Sequence, residues 1–237
     1  RARDTLRHRG PDDARSAQDD VCHLGFRRLA ILDLTDAGAQ PMRSPDDAHW
    51  IVFNGEIYNH RELRAELERE GIVFRGHSDT EVLLALYGRR GRGMLTRLNG
   101  MFALAIYDRR RRTLLLARDR CGEKPLFLWR HARGLSFASE VRALQLLPGF
   151  PTEPDPSVLA EYFRVGFVPG HRCVWPGVSK LPPGSSVEYN LERAELGPVE
   201  RYWAPPAPAA NVPVVPEDEA VETIGRLLDD AVALRLR

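Results

Sequence analysis

An Asn-Gly pair beside an acid is the first candidate for chemistry in this sequence. Residues 50–53 are apolar, and Asn54, Gly55 and Glu56 follow them directly. Because both members of the pair accept positive φ angles at low cost, the simplest prediction is a β-turn. The chemical alternative is that the side-chain amide of Asn54 and the backbone N–H of Gly55 donate hydrogen bonds to a reacting carbonyl oxygen.

Two helices are expected after this pair. Asn59 and Glu62 have the spacing of a capping box, and Gly71 ends a run in which leucines recur at helical spacing. A second helix begins at Ser78 or Asp79, because either residue can cap it. Helices with one apolar stripe cover one face of a sheet, so we expect both to lie on an outer face.

Strands account for most of the other patterned sequence. Residues 23–34 and 50–53 predict strands, and residues 101–119 predict a hairpin. Residues 125–130 and 135–140 continue in the same style. This order of strands, two helices and further strands predicts an α+β layered fold.

The composition changes near the end of the chain. Residues 204–216 are rich in Pro and Ala, which hold neither a regular helix nor a central strand, so they predict a linker. Residues 217–237 repeat apolar side chains at helical spacing, with nothing obvious in the sequence for that stripe to pack against. We therefore expect a domain over 1–203, a linker over 204–216, and the first helix of a further domain over 217–237.

Charge and hydropathy argue against several classes of partner. The 237 residues carry a formal net charge of +1, which favours neither nucleic acid nor a membrane surface as a partner. The arginine run 109–112 is expected to be a solvated hairpin tip. No apolar run is long enough to span a bilayer.

The cysteines bear on location and on metal binding. Cys22, Cys121 and Cys173 are odd in number and lack metal-ligand spacing, which indicates a reducing compartment. We expect a cytoplasmic protein with no metal site. Cys22 beside His23 suggests a nucleophile and its base, but neighbours in a strand face opposite sides. Cys22 is therefore expected to be a small buried or edge residue.

Nine blocks of the sequence, taken in order, indicate one family. They are RHRGPDD (7–13), RRLAILDL (27–34), GAQPM (38–42), FNGEIYN (53–59), SDTEVLL (78–84), LNGMFALAIYD (98–108), ARDRCGEKPLF (117–127), FASE (137–140) and LPPG (181–184). Over roughly the first 200 residues the chain resembles the glutamine amidotransferase domain of glutamine-hydrolysing asparagine synthetases. Cys121 and Phe26 depart from residue types common in that family.

The resemblance implies a fold and a reaction. The fold is α+β, a four-layer αββα sandwich of the N-terminal-nucleophile hydrolase kind, here without its first strand. The substrate is glutamine, whose amide is attacked by an N-terminal cysteine with its own α-amino group as the base. Released ammonia passes to a C-terminal synthetase domain, which uses ATP and Mg²⁺ to convert aspartate to asparagine. No cofactor is expected in the present chain, and a homodimer stays an open expectation.

The same resemblance implies a set of site residues. Asn54 and Gly55 form the oxyanion hole, while Arg28 holds the α-carboxylate of glutamine in a bidentate pair and Asp79 holds its ammonium. Leu29 and Ile31 supply backbone contacts, and Glu56 is a further polar contact. The implied glutamine-binding residues are Arg28, Leu29, Ile31, Glu56 and Asp79.

Each of these residues also has a simpler explanation when it is taken singly. Arg28 beside an apolar strand is ordinarily a solvated charge. Asp79 is a suitable helix N-cap. The pair Asn99-Gly100 repeats the dipeptide of the oxyanion hole, yet we expect only a turn before a core strand there. Context alone separates the two pairs.

We expect the chain to be part of a longer protein that is cut at both ends. It begins at Arg1 without Met, and it ends at Arg237 inside an amphipathic pattern. None of the cysteines stands at the N-terminus, so this polypeptide should not hydrolyse glutamine. The sequence also lacks the ATP-binding motif that the synthetase step would use. Two alternatives stay open: an inert scaffold domain of a β-lactam synthetase-like enzyme, and a non-catalytic, glutamine-binding pseudo-amidotransferase.

Overall fold

The computed structural model describes residues 1–31, 33–207 and 215–236. They form two compact units, Arg1–Trp203 and Ala204–Arg237. The second unit contains the helix α5 (Glu217–Arg235), whose apolar side chains are exposed. The helices of the first unit are α1 (His60–Arg69), α2 (Asp79–Arg90), α3 (Val141–Leu144) and α4 (Pro156–Val165).

The strands of the first unit form three antiparallel sheets. The large sheet has the order β11-β10-β6-β5-β4-β3, with β12 paired to β10, and the smaller sheets are β1-β2 and β8-β7-β9. The strands are β1 (Asp13–Gln18), β2 (His23–Arg28), β3 (Met42–Arg43), β4 (His49–Ile57), β5 (Gly100–Asp108), β6 (Thr113–Arg118), β7 (Phe127–His131), β8 (Gly134–Ala138), β9 (Val178–Lys180), β10 (Ser185–Asn190), β11 (Glu195–Leu196) and β12 (Glu200–Arg201).

Successive side chains of the strand β4 face opposite sides of the large sheet. In β4, Ile51 and Phe53 pack with residues of α1 and α2, whereas Trp50 and Val52 pack with residues of β2 and β7. This is the two-residue period of a sheet that is covered on both faces. Helices α1 and α2 therefore cover one face of the large sheet, and the two small sheets cover the other.

A third apolar cluster lies beyond the small sheets. Trp129 of β7 packs with Ala143 and Leu144 of α3, while its neighbour Leu128 packs toward the large sheet. Leu6, from the 3₁₀-helix Arg3–Arg9, joins this outer cluster. Three clusters thus fill the three interfaces of a four-layer αββα sandwich, which is the expected fold.

Local signals predicted the hairpin and both helices correctly, but the capping box is wrong. The Asn59 side chain makes no cap and instead donates from Nδ2 to Arg97 O (3.0 Å) and accepts from Asn99 N (3.0 Å). Ser78 rather than Asp79 caps α2, because its hydroxyl accepts from Glu81 N (3.2 Å). Asn59 and Asp79 could each have capped a helix locally, but their side chains bond to segments that are distant in the sequence.

The strand boundaries differ from the sequence prediction in two places. The first expected strand, 23–34, ends at Arg28, and an irregular segment follows. The second, 50–53, continues to Ile57, so Asn54-Gly55 lies inside β4 and is not a turn. Pairing with β5 along all nine residues of β4 overrides the turn preference of the dipeptide.

The arginine run 109–112 at the tip of the β5–β6 hairpin is neutralised locally. Each of its four side chains lies within ion-pair distance of an acid: Asp47, Asp46, Glu188 and Asp20 in turn. Within the described ranges, no helix combines the length and the apolar composition needed to cross a bilayer.

Candidate functional site

A cavity of about 730 Å³ lies in the first unit. Residues of β2, β4, β5 and β8 line it, together with the beginning of α2. The structure brings all seven site residues implied by the sequence to this cavity, while their roles toward a ligand stay predictions. These residues are Arg28, Leu29, Ile31, Asn54, Gly55, Glu56 and Asp79.

The strand β4 directs the N–H of Gly55 toward this cavity, where no described residue is recorded as its acceptor. On the edge of β4 away from β5, Phe53 N donates to Gln40 Oε1 (2.6 Å) and Ile57 N donates to Asp79 Oδ2 (3.0 Å). Successive N–H groups of a strand point to opposite edges. The N–H of Gly55 therefore points to the same edge, between two N–H groups that already have acceptors.

The residue opposite Gly55 leads to the same conclusion. Gly55 faces Phe102 in the β4–β5 register, and the N–H and C=O of Phe102 both bond to Asp119 on the far side of β5 (3.1 and 2.8 Å). The two opposed residues therefore form a non-hydrogen-bonded pair, in which both backbones point away from each other. The Gly55 N–H is thus directed to the open edge of β4.

Glycine is required at this position by close backbone approach. Gly55 has φ +158°, and a Cβ added there would lie 2.7 Å from Phe102 Cα and overlap the carbonyl oxygen of Met101. No side chain fits such a gap without separating the strands. The backbone of β4 is consequently bare at the point where its N–H is free.

The side chain of Asn54 supplies a second donor beside the first. Its Nδ2 atom is buried and has no hydrogen-bond partner among the described residues. Leaving a buried donor unpaired costs about 1–3 kcal/mol, so such an atom calls for an explanation. An acceptor on a bound ligand would satisfy it. Two neighbouring donors that border one cavity can serve as an oxyanion hole.

The second Asn-Gly pair does not share these features. Asn99 O accepts from Tyr58 N (2.8 Å), and Gly100 begins β5 packed closely against the backbone of Glu56 and Ile57. Neither residue of this pair lines the cavity. It enters a core strand as expected, although the structure forms no turn there.

Asp79 is a buried carboxylate at the first residue of α2. Its side chain accepts from the backbone N–H of Ile57, and the residue is 5% exposed. Burial raises the pKa of Asp79 above the ordinary value of an aspartate. A cationic ligand group would favour the ionised form and offset that cost. The carboxylate is therefore suited to an ammonium.

Arg28 is held by the segment that follows β2. Its Nη1 donates to Thr35 O (2.9 Å) and its Nη2 donates to Asp33 O. A guanidinium has five N–H donors, so the groups left over stay available to a carboxylate. These carbonyl contacts fix the direction of the side chain, which a bidentate ligand contact requires.

Asp33 links the two charged sides of the cavity. It is 8% exposed, and its carboxylate accepts from Thr35 Oγ1 (2.6 Å), Thr35 N (2.8 Å) and His77 N (3.2 Å). The hydrogen bond from the Thr35 hydroxyl lowers the pKa of Asp33. The segment that holds Arg28 is thereby fastened to the residues just before Ser78 and Asp79.

The three remaining predicted residues also border the cavity. Leu29 and Ile31 are 55% and 69% exposed, so neither residue is packed into the core. Glu56 is half-buried in β4, one residue beyond Gly55. This arrangement is compatible with the contacts that the resemblance implies, and their roles stay predictions.

Cysteine chemistry is not provided by the described lining. Cys22 is buried among apolar residues, as expected, and burial raises the pKa of its thiol to about 12. His23 lines the cavity, but none of Cys22, Cys121 and Cys173 is among the described residues that do so. A thiolate nucleophile therefore does not come from these three side chains in this arrangement.

A family model described as a glutamine amidotransferase domain matches residues 1–203. The chain belongs to this family. An open-edge N–H, an orphaned amide and a buried carboxylate around one cavity are features that such a domain can use. The resemblance inferred from the nine sequence blocks is confirmed at this level.

Curated relatives of this amidotransferase domain are glutamine-hydrolysing asparagine synthetases. Asparagine synthetase 1 of Bacillus subtilis (strain 168) is 42% identical over 178 residues, which cover 75% of this chain and 28% of the relative. Asparagine synthetase 3 of that organism is 33% identical over 240 residues, covering 100% and 38%. Asparagine synthetase B of Escherichia coli (strain K12) is 44% identical over 140 residues, covering 59% and 25%. The chain thus spans well under half the length of these relatives.

Solved structures support the fold of the domain. The glutamine phosphoribosylpyrophosphate amidotransferase from Bacillus subtilis matches with a TM-score of 0.53 and 24% identity, covering 76% of this chain and 35% of that one. A structure of the allosteric regulatory enzyme of purine biosynthesis gives the same values. At this identity the likeness concerns the fold, and it agrees with the αββα layers described above.

Sequence reasoning missed two buried polar residues of the amidotransferase site. Asp33 and Gln40 both line the cavity and hold its walls together through backbone hydrogen bonds. Each lies inside a block that carried the resemblance, RRLAILDL or GAQPM. A buried polar residue in such a block is a signal that could have identified them.

Proposed function

We propose that this chain carries the glutamine-binding and oxyanion-stabilising part of a glutamine-dependent amidotransferase. The observation that supports it most is the pairing of two unsatisfied donors, Asn54 Nδ2 and Gly55 N–H, with the buried Asp79 carboxylate around the same cavity. The two donors suit the side-chain carbonyl of an amino-acid amide, and the buried acid suits its α-ammonium.

The chemistry follows from the charges of glutamine. Asp79 pairs with the α-ammonium and Arg28 with the α-carboxylate, while the side-chain carbonyl points to Asn54 and Gly55. When a nucleophile attacks that carbonyl, the oxygen becomes an anion and both hydrogen bonds strengthen. One donor of this kind contributes about 2.7–4 kcal/mol to the stability of a transition state.

We propose that the attacking cysteine is none of the three cysteines in these 237 residues. Since no described cavity residue is a cysteine, we propose that these 237 residues bind glutamine without hydrolysing it. The N-terminal cysteine implied by the resemblance would complete the site. Its free amine would act as the base.

For the whole protein we propose glutamine-dependent asparagine synthesis. Ammonia from glutamine would be joined to aspartate in a synthetase domain that binds ATP and Mg²⁺, with residues 204–216 as the linker and 217–237 as the first helix of that domain. Among the described residues, no three potential metal ligands lie together. The exposed apolar side chains of α5 support the idea that a further domain covers them. A homodimer and a cytoplasmic location stay predictions.

Titration calorimetry tests the glutamine site. We expect L-glutamine to bind more tightly than D-glutamine and than L-norvaline, which keeps the ammonium and carboxylate but lacks the amide. Asp79→Asn and Arg28→Lys should each weaken binding by about tenfold, since each removes a charge-assisted contact or its bidentate geometry. An ammonia-release assay on the same polypeptide should show no turnover.

The outcomes separate the proposal from the inert-scaffold alternative and test the site residues. Absence of glutamine binding would contradict the proposal and favour the inert scaffold of a β-lactam synthetase-like enzyme. Turnover by this polypeptide would contradict the assignment of the nucleophile to another part of the protein. Glutamine binding that Arg28→Lys and Asp79→Asn leave unchanged would place the ligand elsewhere.

A further inference from the structure

Gln40 is a buried polar side chain to which the proposed chemistry gives no task. It precedes β3 and is 7% exposed. Its Oε1 accepts from Phe53 N (2.6 Å), and its Nε2 donates to Phe53 O (3.2 Å) and to Thr80 Oγ1 (3.2 Å). These three side-chain hydrogen bonds are therefore made to the two elements that carry the candidate site, β4 and α2.

The amide of Gln40 takes the place of a peptide group in the large sheet. β3 pairs with β4 at Ile51 and Trp50, and beyond those residues no strand in the described part of the chain covers the edge of β4 that lies away from β5. A ladder partner accepts from the N–H and donates to the C=O of one residue. Gln40 does both for Phe53, which is the residue before Asn54. The hydrogen-bonding pattern along this edge of β4 thus continues by one residue, up to Asn54 and Gly55.

The third contact of Gln40, from Nε2 to Thr80 Oγ1, attaches this edge of β4 to α2. Thr80 follows Asp79 at the start of the helix, and it lies 3% exposed. Asp79 in turn accepts from Ile57 N. The edge of β4 is consequently attached to α2 on both sides of Gly55, through Gln40 and Thr80 on one side and through Asp79 on the other.

We infer that Gln40 is a positioning residue of the amidotransferase site, which sets the separation between the Gly55 N–H on β4 and the Asp79 carboxylate on α2. This inference rests on the proposed function. In glutamine the ammonium and the side-chain carbonyl are joined by a short chain, so one molecule engages both groups only at the correct separation. Small displacements of such groups are costly for a site of this kind.

The readout is the preference for glutamine over L-norvaline, measured as the ratio of the two dissociation constants. Both ligands use the ammonium site, but only glutamine also uses the oxyanion donors. Thr80→Val removes the acceptor for Gln40 at nearly constant shape, together with the longer contact from the Thr80 hydroxyl to Asp79 Oδ1 (3.5 Å). That contact belongs to the ammonium site, which both ligands use, so it cancels in the ratio. Gln40→Met removes the three contacts of Gln40 and leaves the Thr80–Asp79 contact in place. We expect each to reduce the preference, by up to about tenfold for Gln40→Met, which is the size of one or two lost hydrogen bonds.

Two further variants serve as controls. Thr80→Ser keeps the hydroxyl and should retain the wild-type preference. Thr113→Val makes the same substitution at another buried threonine, 5% exposed on β6 and outside the cavity lining. It should change stability alone. A purely structural role for Gln40 would lower thermal stability and leave the preference unchanged.

The results distinguish failure of the inference from failure of the proposed function. If wild type prefers glutamine and both Thr80→Val and Gln40→Met keep that preference, the positioning role is wrong and the glutamine site stands. If wild type has no preference, the proposed function falls and the inference falls with it. Should Gln40→Met fail to fold, the comparison of Thr80→Val with Thr80→Ser decides the matter.

Discussion

Replacing Asn54 by leucine removes the orphaned amide of the candidate oxyanion hole and keeps the number and branching of the side-chain heavy atoms. In the unliganded chain, Nδ2 of Asn54 is buried and unpaired. Leaving such a donor unsatisfied costs about 1–3 kcal/mol, and an apolar group of the same shape avoids that cost. We therefore expect Asn54→Leu to stabilise the chain in the absence of ligand.

The expected sizes can be worked out for stability and for binding. A gain of about 1–3 kcal/mol raises the Tm of a unit of about 200 residues by roughly 2–4 °C per kcal/mol. Glutamine at a hundredfold excess over its Kd stabilises wild type by about 2.7 kcal/mol. Loss of one hydrogen bond to its carbonyl weakens binding by about two- to tenfold, so the glutamine-induced rise in Tm should be smaller in the variant.

Asn59→Leu is the matched control for this substitution. The amide of Asn59 is bonded at both atoms, because Nδ2 donates to Arg97 O and Oδ1 accepts from Asn99 N. Removing it takes a partner from two backbone groups that lie at least partly exposed to water, and we expect a loss of about 0.5–1.5 kcal/mol. One substitution should thus act with opposite signs at two asparagines of the same unit.

Urea unfolding and thermal denaturation, each with and without glutamine, measure both effects. A fall in unfolding free energy for Asn54→Leu would refute the claim that the amide is held at a cost. An unchanged response to glutamine would refute its role as a donor to the ligand. If both asparagine variants lose stability equally, burial of the Asn54 amide without a partner is the wrong description.

Three further predictions concern the backbone, the acid and the thiols. Gly55→Ala should cost about 1–3 kcal/mol in urea unfolding, because its Cβ overlaps the neighbouring strand, and an unchanged midpoint would contradict that packing. Burial raises the pKa of Asp79, so its contribution to unliganded stability is present below the ordinary aspartate pKa and is lost as the pH rises through the raised value. Glutamine pairs with the ionised form, so its binding should strengthen with rising pH in calorimetry, and Asp79→Asn should remove both trends. Iodoacetamide at about pH 8 should label the exposed Cys121 rapidly and leave Cys22 unlabelled until unfolding, because burial raises the pKa of the Cys22 thiol to about 12; early labelling of Cys22 by mass spectrometry would argue against it.

Much of the fold follows from signals that are local in the sequence. The spacing of Leu63 and Leu67 predicts α1, and Gly71 ends it with φ +86° while Ile72 N bonds to Leu67 O (3.0 Å). The β5–β6 hairpin follows from two apolar runs around a charged tip. Such elements are set by residues a few positions apart, so a single sequence contains the information for them.

Prediction failed where distant partners compete for the same groups. The turn preference of Asn54-Gly55 lost to nine consecutive pairs with β5. The capping role of Asn59 lost to backbone groups about forty positions away, at Arg97 and Asn99. In both cases the local preference is worth about 1 kcal/mol, which a few tertiary hydrogen bonds exceed.

The sequence by itself determined the family and the chemical types at the seven candidate positions, because these depend only on residue identity and order. Whether the N–H of Gly55 is free was decided by the tertiary structure. That property requires β4 to end its pairing with β3, and it requires Phe102 to direct its own backbone toward Asp119. Hydrogen bonds between distant segments have no local signature, since the alternation of a strand says which groups share an edge but not which edge is covered.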